Sequence, residues 1–337
     1  ADSQGGIQKV HEGLTPRIGG LAIFPACVAG AFFVDGLALG SGEELLGLFG
    51  SSTAEFSMLA LLICGLPILL AGLVEDVTKQ VSVSIRFWAS CLSGLLGAVF
   101  LGAALPRLGL GSLDGLFQYA WVAIPFTAFA VAGVVNSINI IDGFNGLASG
   151  VVTLLGLGLA FVAEAHGDYT MMYSALVISM ASVGFALVNY FTGRLFLGDG
   201  GAYFLGFMLA EIAVLLVARN PALSPWVILA LFAYPVTEVV TSMVRRKLVK
   251  RETGQPDRDH LHHLIQNLLL NTSKTGVTQV NTSVSKWLWL FTWVAVVGAS
   301  QVSTLPESIY TYALVAVLVG LYLLIYVKCK HFTRNAA

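Results

Sequence analysis

The chain has 337 residues, 56% hydrophobic and only 11% charged, less than half the roughly 25% charge of an ordinary soluble domain. That balance excludes a soluble globular enzyme and gives no basic surface for nucleic acid. The net charge of −1 says nothing further about partners, so the place of each charge along the chain is what informs.

Crossing a bilayer takes about 20 mostly apolar residues per helix. Ten such runs stand near residues 18–37, 54–74, 86–105, 117–135, 147–164, 171–189, 200–218, 225–244, 286–304 and 309–327. They predict an all-α integral membrane protein, with residues 1–337 forming one polytopic bundle of ten transmembrane helices and no soluble domain. If the runs alternate across the membrane, Arg107 and Arg219 fall on one side and the other 16 of the 18 Lys and Arg on the opposite one. The positive-inside rule makes the second side cytoplasmic. The outer connections are short or acidic, as around Glu43, Glu44 and Glu55. Residues 245–285 form a long cytoplasmic loop in which Leu261, Leu264, Ile265 and Leu268 make one stripe, as in a short helix lying on the membrane surface. Cys27, Cys64, Cys91 and Cys329 are scattered, which argues against disulfides and a zinc cluster.

The inner connections differ in kind from the outer ones, because each mixes acids, amides, His or Arg with Gly. "VEDVTKQVSVSIRF" sets Glu75 beside Asp76 at the end of an apolar run, followed by Lys79. Adjacent carboxylates near low dielectric repel each other unless a cation intervenes, a tension suited to acid, base or metal work. "NSINIIDGFNG" spaces Asn136, Asn139, Asp142 and Asn145 by three, so Asn139 and Asp142 stack one helical turn apart until the glycines loosen the backbone. Such a row suits a hydrated metal, a phosphate or a base edge. In "RLFLGDGGAYF", Asp199 stands between glycines before a span, where the helix N-terminus offers free N–H groups and a positive dipole end; it can cap, bind or do both. Arg194 lies just upstream. His260, His262 and His263 follow the basic segment Arg245–Arg258 and are candidates for phosphate contact, or less readily for zinc. Glu211 and Glu238 lie inside apolar runs, where a carboxylate is a functional suspect; Glu238 is nearer the inner end and can join the polar cluster, while Glu211 sits deeper and reads as a buried hydrogen-bonded or protonated acid.

Taken in order, "HEGLTPRIGG", "EDxxK", "NxxNxxDGxNGL", "FLGDGG" and "HLHH" resemble the polyprenyl-phosphate N-acetylhexosamine-1-phosphate transferases, over residues 9–263. Three features depart from the family's pattern: Glu75 where Asp is usual, Asn145 where Asp is common, and no helix before residue 11, so that eleven helices are expected with a preceding one. The resemblance implies transfer of an N-acetylamino-sugar 1-phosphate from a UDP-sugar to undecaprenyl phosphate, releasing UMP, at the cytoplasmic face of the bacterial inner membrane. It implies Mg²⁺, with Mn²⁺ as a substitute, held by Asp199 with Asp142 or Asp76 close by. Glu75 or Asp76, Asp76 preferred, would act as base. Lys79, Arg194, His260, His262 and His263 would steady phosphate charge, and Asn136, Asn139 and Asn145 would orient the substrates. The expected partners are the UDP-sugar, undecaprenyl phosphate and membrane lipids, with a homodimer left open and no nucleic acid. A transporter would place its site near the bilayer midplane, commonly with internal repeats, neither of which this chain shows. A CDP-alcohol phosphotransferase would need the Ala-Arg and later acids that "DGFNGLASG" lacks.

Overall fold

The computed structural model describes residues 15–39, 56–248, 259–272, 276–305 and 309–335. His11 to Leu14, the acidic connection with Glu43, Glu44 and Glu55, and residues 249–258 of the long loop lie outside them. Among the described residues the architecture is all-α apart from a short turn of 3-10 helix at Gly111–Gln118 and one isolated bridge pairing Arg17 with Phe196.

The helices in chain order are α1 (Gly19–Leu39), α2 (Met58–Cys64), α3 (Leu66–Thr78), α4 (Val83–Phe100), α5 (Ala120–Ile141), α6 (Leu147–Ala165), α7 (Tyr169–Thr192), α8 (Gly198–Arg219), α9 (Pro225–Leu231), α10 (Ala233–Leu248), α11 (Leu261–Thr272), α12 (Val277–Val302) and α13 (Ile309–Asn335). Every apolar run of the sequence lands on one of these or on an adjacent pair. Seven helices are long and apolar enough to cross a membrane, and nine if each bent pair counts once. The chain is therefore a multi-pass membrane protein. The tenth run is α12, whose Lys286 and interleaved Ser, Thr and Gln leave it outside that count.

Two runs read as single spans are broken. The α2–α3 pair bends by 49° and the α9–α10 pair by 80°. Pro67 and Pro235, which follow the breaks, each lack the N–H that would bond four residues back, to Ile63 and Leu231, so the helix is interrupted there.

α8 is the axis of the bundle. Its sequence is apolar all round, and such a helix must be buried all round; 94% of its span is inside the protein. α1, α3, α4, α5, α6 and α7 pack around it, while α9, α10, α12 and α13 build the other flank against α5 and α6. The tightest approach is α3 to α8: a Cβ on Gly72 would stand 2.5 Å from Gly200 Cα, so the two backbones meet where only glycine fits. Aromatic side chains such as Trp121 and Phe191, each 74% exposed, face outward as lipid-facing residues do.

At the end of the bundle where α8 finishes, the two outer arginines are tied down. Arg107 donates from Nη2 to the carbonyls of Asn220, Pro221 and Leu223, at 3.2, 2.7 and 2.6 Å. Arg219 pairs with Asp168 at 2.7 Å. A shallow open cleft of about 510 Å³ lies here, lined by His166, Asp168 and Arg219, with the acidic cluster at the opposite end of α8.

Candidate active site

The site forms where the C-terminal ends of α3 and α5 meet the N-terminus of α8. Asp76, on the last turn of α3, reaches across to the start of α8. Its Oδ1 accepts from the Asp199 N–H and its Oδ2 from the Gly200 N–H, both at 2.9 Å. A helix begins with N–H groups that have no partner of their own, so the carboxylate of α3 caps α8 from another part of the chain. The sequence suggested that α8 would offer these groups to a ligand or to Asp199 itself; instead Asp76 occupies them. Gly198 makes this fit, since its φ is 73° and a Cβ there would stand 2.5 Å from Asp76 Oδ2.

Asp199 therefore turns its side chain outward from the cap. Oδ2 accepts from Arg86 Nη1, on the first turn of α4, and Oδ1 accepts from Asn139 Nδ2 at 3.2 Å. The same Arg86 nitrogen donates to the Tyr203 hydroxyl oxygen at 3.2 Å, so α4, α5 and α8 are tied through one carboxylate. Asp142 stands just beyond α5, where the helix closes with its N–H on the Asn139 carbonyl at 3.1 Å. Burial pushes the Asp142 carboxyl up to about 7; Arg17 pulls it down, and Asp199 and Asp76 push it further up. Three aspartates from α3, the end of α5 and α8 thus feel one another at one end of the bundle, with Arg17 and Arg86 among them. Lys79 stands 3.8 Å from Asp76 Oδ1. Its backbone is left-handed, at φ 58°, an uncommon state for a residue with a Cβ.

The other expected residues separate into those that join the cluster and those that do not. Glu75 turns from Asp76, with Oε2 accepting from the Val81 N–H at 2.8 Å, closing the α3–α4 turn. Asn136 stands one turn before Asn139 on α5, with its Nδ2 donating to the Ala132 carbonyl of its own helix at 2.7 Å. The row breaks after Ile141, and Asn145 is buried against Gly193 of the α7–α8 turn. Arg194 is exposed beside it.

His262 and His263 sit on the first turn of α11, with His260 just before it; α11 packs against α12 and α13, and Phe144 meets the rings of His262 and His263. His262 packs over Gly143, with Nε2 2.8 Å from where a Cβ would stand, one residue from Asp142. Burial, then His263 and His260, hold it well below the usual histidine range. His260 faces Glu238 instead, with Nδ1 at 3.0 Å from Oε1.

Residues 58–217 match the family described as Glycosyl transferase family 4. The probable undecaprenyl-phosphate N-acetylglucosaminyl 1-phosphate transferase of Bacillus subtilis is 30% identical over 258 residues, covering 76% of this chain and 67% of that protein. The decaprenyl-phosphate N-acetylglucosaminephosphotransferase of Mycobacterium tuberculosis is 27% identical over 329 residues, 88% of this chain and 74% of the other. An undecaprenyl-phosphate alpha-N-acetylglucosaminyl 1-phosphate transferase of Salmonella typhimurium is 28% identical over 272 residues, 77% and 67%. This chain belongs to the polyprenyl-phosphate sugar-1-phosphate transferases.

Four residues of this transferase escaped the sequence reading. Arg86 was visible only as one more charge in an inner loop. Arg17 reaches the cluster because its backbone bridges Phe196, with the Phe196 N–H on the Pro16 carbonyl at 3.0 Å. Tyr203 follows Asp199 by one turn on α8. Asn189, near the end of α7, accepts from the Gly146 N–H and donates to the Leu195 carbonyl, both at 2.6 Å, and so pins the turn after Asp142 to the turn before Asp199. An Asn at a helix end offered the one available signal, and it reads as an ordinary cap.

The donor set suits a hard divalent cation only in part. Among the described residues no three His, Cys, Asp or Glu converge into a cage. Mg²⁺ needs no such cage, since one or two carboxylates serve when substrate phosphates and water complete its shell. Asp199 and the crowded Asp142 fit that lesser demand. Glu211 does not belong to this site, for it lies twelve residues further along α8, roughly 18 Å along the axis, with neither carboxyl oxygen hydrogen-bonded.

Proposed function

We propose that this transferase moves an N-acetylamino-sugar 1-phosphate from a UDP-sugar to undecaprenyl phosphate, yielding the polyprenyl-diphosphate-sugar and UMP. A phosphate oxygen of the lipid attacks the sugar-bearing phosphorus, and the bond from that phosphorus to the bridging oxygen breaks as UMP departs with the electron pair. The observation that carries this reading is the gathering of Asp76, Asp142 and Asp199 with Arg86 at one end of the bundle. N-acetylglucosamine is the donor to test first, because the relatives are named for it.

Mg²⁺, or Mn²⁺ in its place, would be held by Asp199 and Asp142 and would neutralise the donor's diphosphate. The lipid phosphate needs little help in losing its proton, as the second pKa of a phosphate monoester is about 6. Asp76 is engaged with α8, so its contribution as base would come through lone pairs left over from the cap, with Glu75 next to it on α3. Lys79, Arg17 and Arg194 supply positive charge that binds the donor's diphosphate, and phosphoryl transfer is chiefly positioning and electrostatics. His262, packed on Gly143 next to Asp142, and His263, packed on Phe144, would steady phosphate charge beside them. The basic-residue asymmetry supports a cytoplasmic active site in the bacterial inner membrane. The pathway would be O-antigen or another cell-envelope glycan.

The test supplies detergent-purified protein with Mg²⁺, undecaprenyl phosphate and a panel of UDP-amino sugars, and follows UMP. Metal-dependent UMP from one sugar is the expected result, and Asp199→Asn should abolish it in a protein that still elutes as one species. No UMP from any sugar with any divalent cation would refute the reaction.

A further inference from the structure

Arg86 holds Asp199 by an ion pair in which both side chains are mostly buried, 16% and 15% exposed. Its Nη1 is shared between Asp199 Oδ2 and the Tyr203 hydroxyl oxygen, and its Nε is buried without a hydrogen-bond partner among the described residues. Asn139 already covers the other Asp199 oxygen. The guanidinium therefore occupies the oxygen that a divalent cation would need, and two cations in contact with one carboxylate oxygen repel strongly in a half-buried site.

We propose that Arg86 is the resident counter-ion of Asp199, a latch that must leave before Asp199 can bind a divalent cation. The inference rests on the reading of Asp199 as metal ligand. With the latch closed, Arg86 adds its positive charge to those of Arg17 and Lys79 against the crowding of Asp76, Asp142 and Asp199. Tyr203 is the acceptor that keeps Nη1 when Asp199 lets go, since it stands four residues after Asp199 on the same face of α8. The unpartnered Nε shows that the closed arrangement does not satisfy the guanidinium fully. Arg86 is thus a positioning residue acting through Asp199.

The experiment titrates Mn²⁺ into the metal-stripped full chain in detergent, without donor or lipid, and reads free Mn²⁺ by electron paramagnetic resonance. Wild type should show a site that Asp199→Asn removes. Arg86→Gln should bind Mn²⁺ roughly tenfold tighter, because the competing charge is gone. Should Arg86→Gln fail to fold, Arg86→Met, which keeps an unbranched stem but carries no charge, replaces it with the same expected direction. A wild-type site with unchanged or weaker binding in a folded Arg86 variant overturns the latch alone. No Asp199-dependent site in any variant overturns the metal reading and the latch together.

Discussion

Gly198→Ala isolates the contact on which the site is built. The residue's φ of 73° costs an L-amino acid roughly 1–2 kcal/mol. The new methyl would also stand 2.5 Å from Asp76 Oδ2 and 2.9 Å from both its Cγ and Oδ1, so the carboxylate must retreat from α8. Each hydrogen bond it makes to the Asp199 and Gly200 N–H groups is charge-assisted and contributes about 1.5–3 kcal/mol. Strain plus one lost bond gives about 2.5–5 kcal/mol; strain plus both gives about 4–8. The measurement is reversible unfolding in mixed micelles, repeated in an Asp76→Ala background. There the methyl meets no carboxylate, and Gly198→Ala should cost only the roughly 1–2 kcal/mol of backbone strain. Equal costs in the two backgrounds would refute the claim that Asp76 caps α8 through the space at Gly198.

Further outcomes follow from the same geometry. Asn189→Ala should leave the Gly146 N–H and the Leu195 carbonyl unpaired, lower stability by about 1–3 kcal/mol per orphaned group, and reduce kcat more than KM by loosening the turns that carry Asp142 and Asp199. Glu238→Gln should weaken the hold on α11 that Glu238 exerts through His260, the Leu261 N–H and the Tyr322 hydroxyl, and hydrogen exchange at the α11 amides should then quicken. Asp142 provides a pH test in metal-free buffer. Its carboxyl is raised to about 7, so the folded state binds a proton that the unfolded chain has already lost, and stability falls as pH rises from about 4 to 7. Asp142→Asn should flatten that decline; an unchanged melting profile across the window would contradict it.

Composition and charge asymmetry reveal the bundle because the bilayer imposes them on every span. The carboxylates of the cluster are legible for a related reason: Asp76, Asp142 and Asp199 each interrupt an apolar pattern at a span end, where nothing structural demands a charge. What joins them is not legible. Asp76 caps a helix 123 residues away and Arg86 pairs with a carboxylate 113 residues away, and local spacing carries no trace of such distances. The row of four polar residues misled because a step of three means one face only while the helix lasts; α5 ends at Ile141, and Asn145 goes elsewhere. Nor does spacing show that His260 faces Glu238, an acid 22 residues earlier within an apolar run. The breaks after Cys64 and Leu231 carried a readable signal in Pro67 and Pro235.

Since Asp76 takes the Asp199 and Gly200 N–H groups at the start of α8, those two are not free to cradle phosphate in the way the "GDGG" sequence invites. Anion binding then falls to side-chain cations, and Lys79 is the one whose backbone is bent to serve: left-handed, at the C-terminus of α3, 43% exposed and 3.8 Å from Asp76. Lys79→Asn keeps a residue that tolerates this backbone and removes only the charge. It should raise KM for the UDP-sugar roughly tenfold or more, as expected for loss of one charge-assisted contact, with kcat changed far less. A fall confined to kcat would assign Lys79 to holding Asp76 rather than to phosphate, and would return anion binding to the backbone of α8.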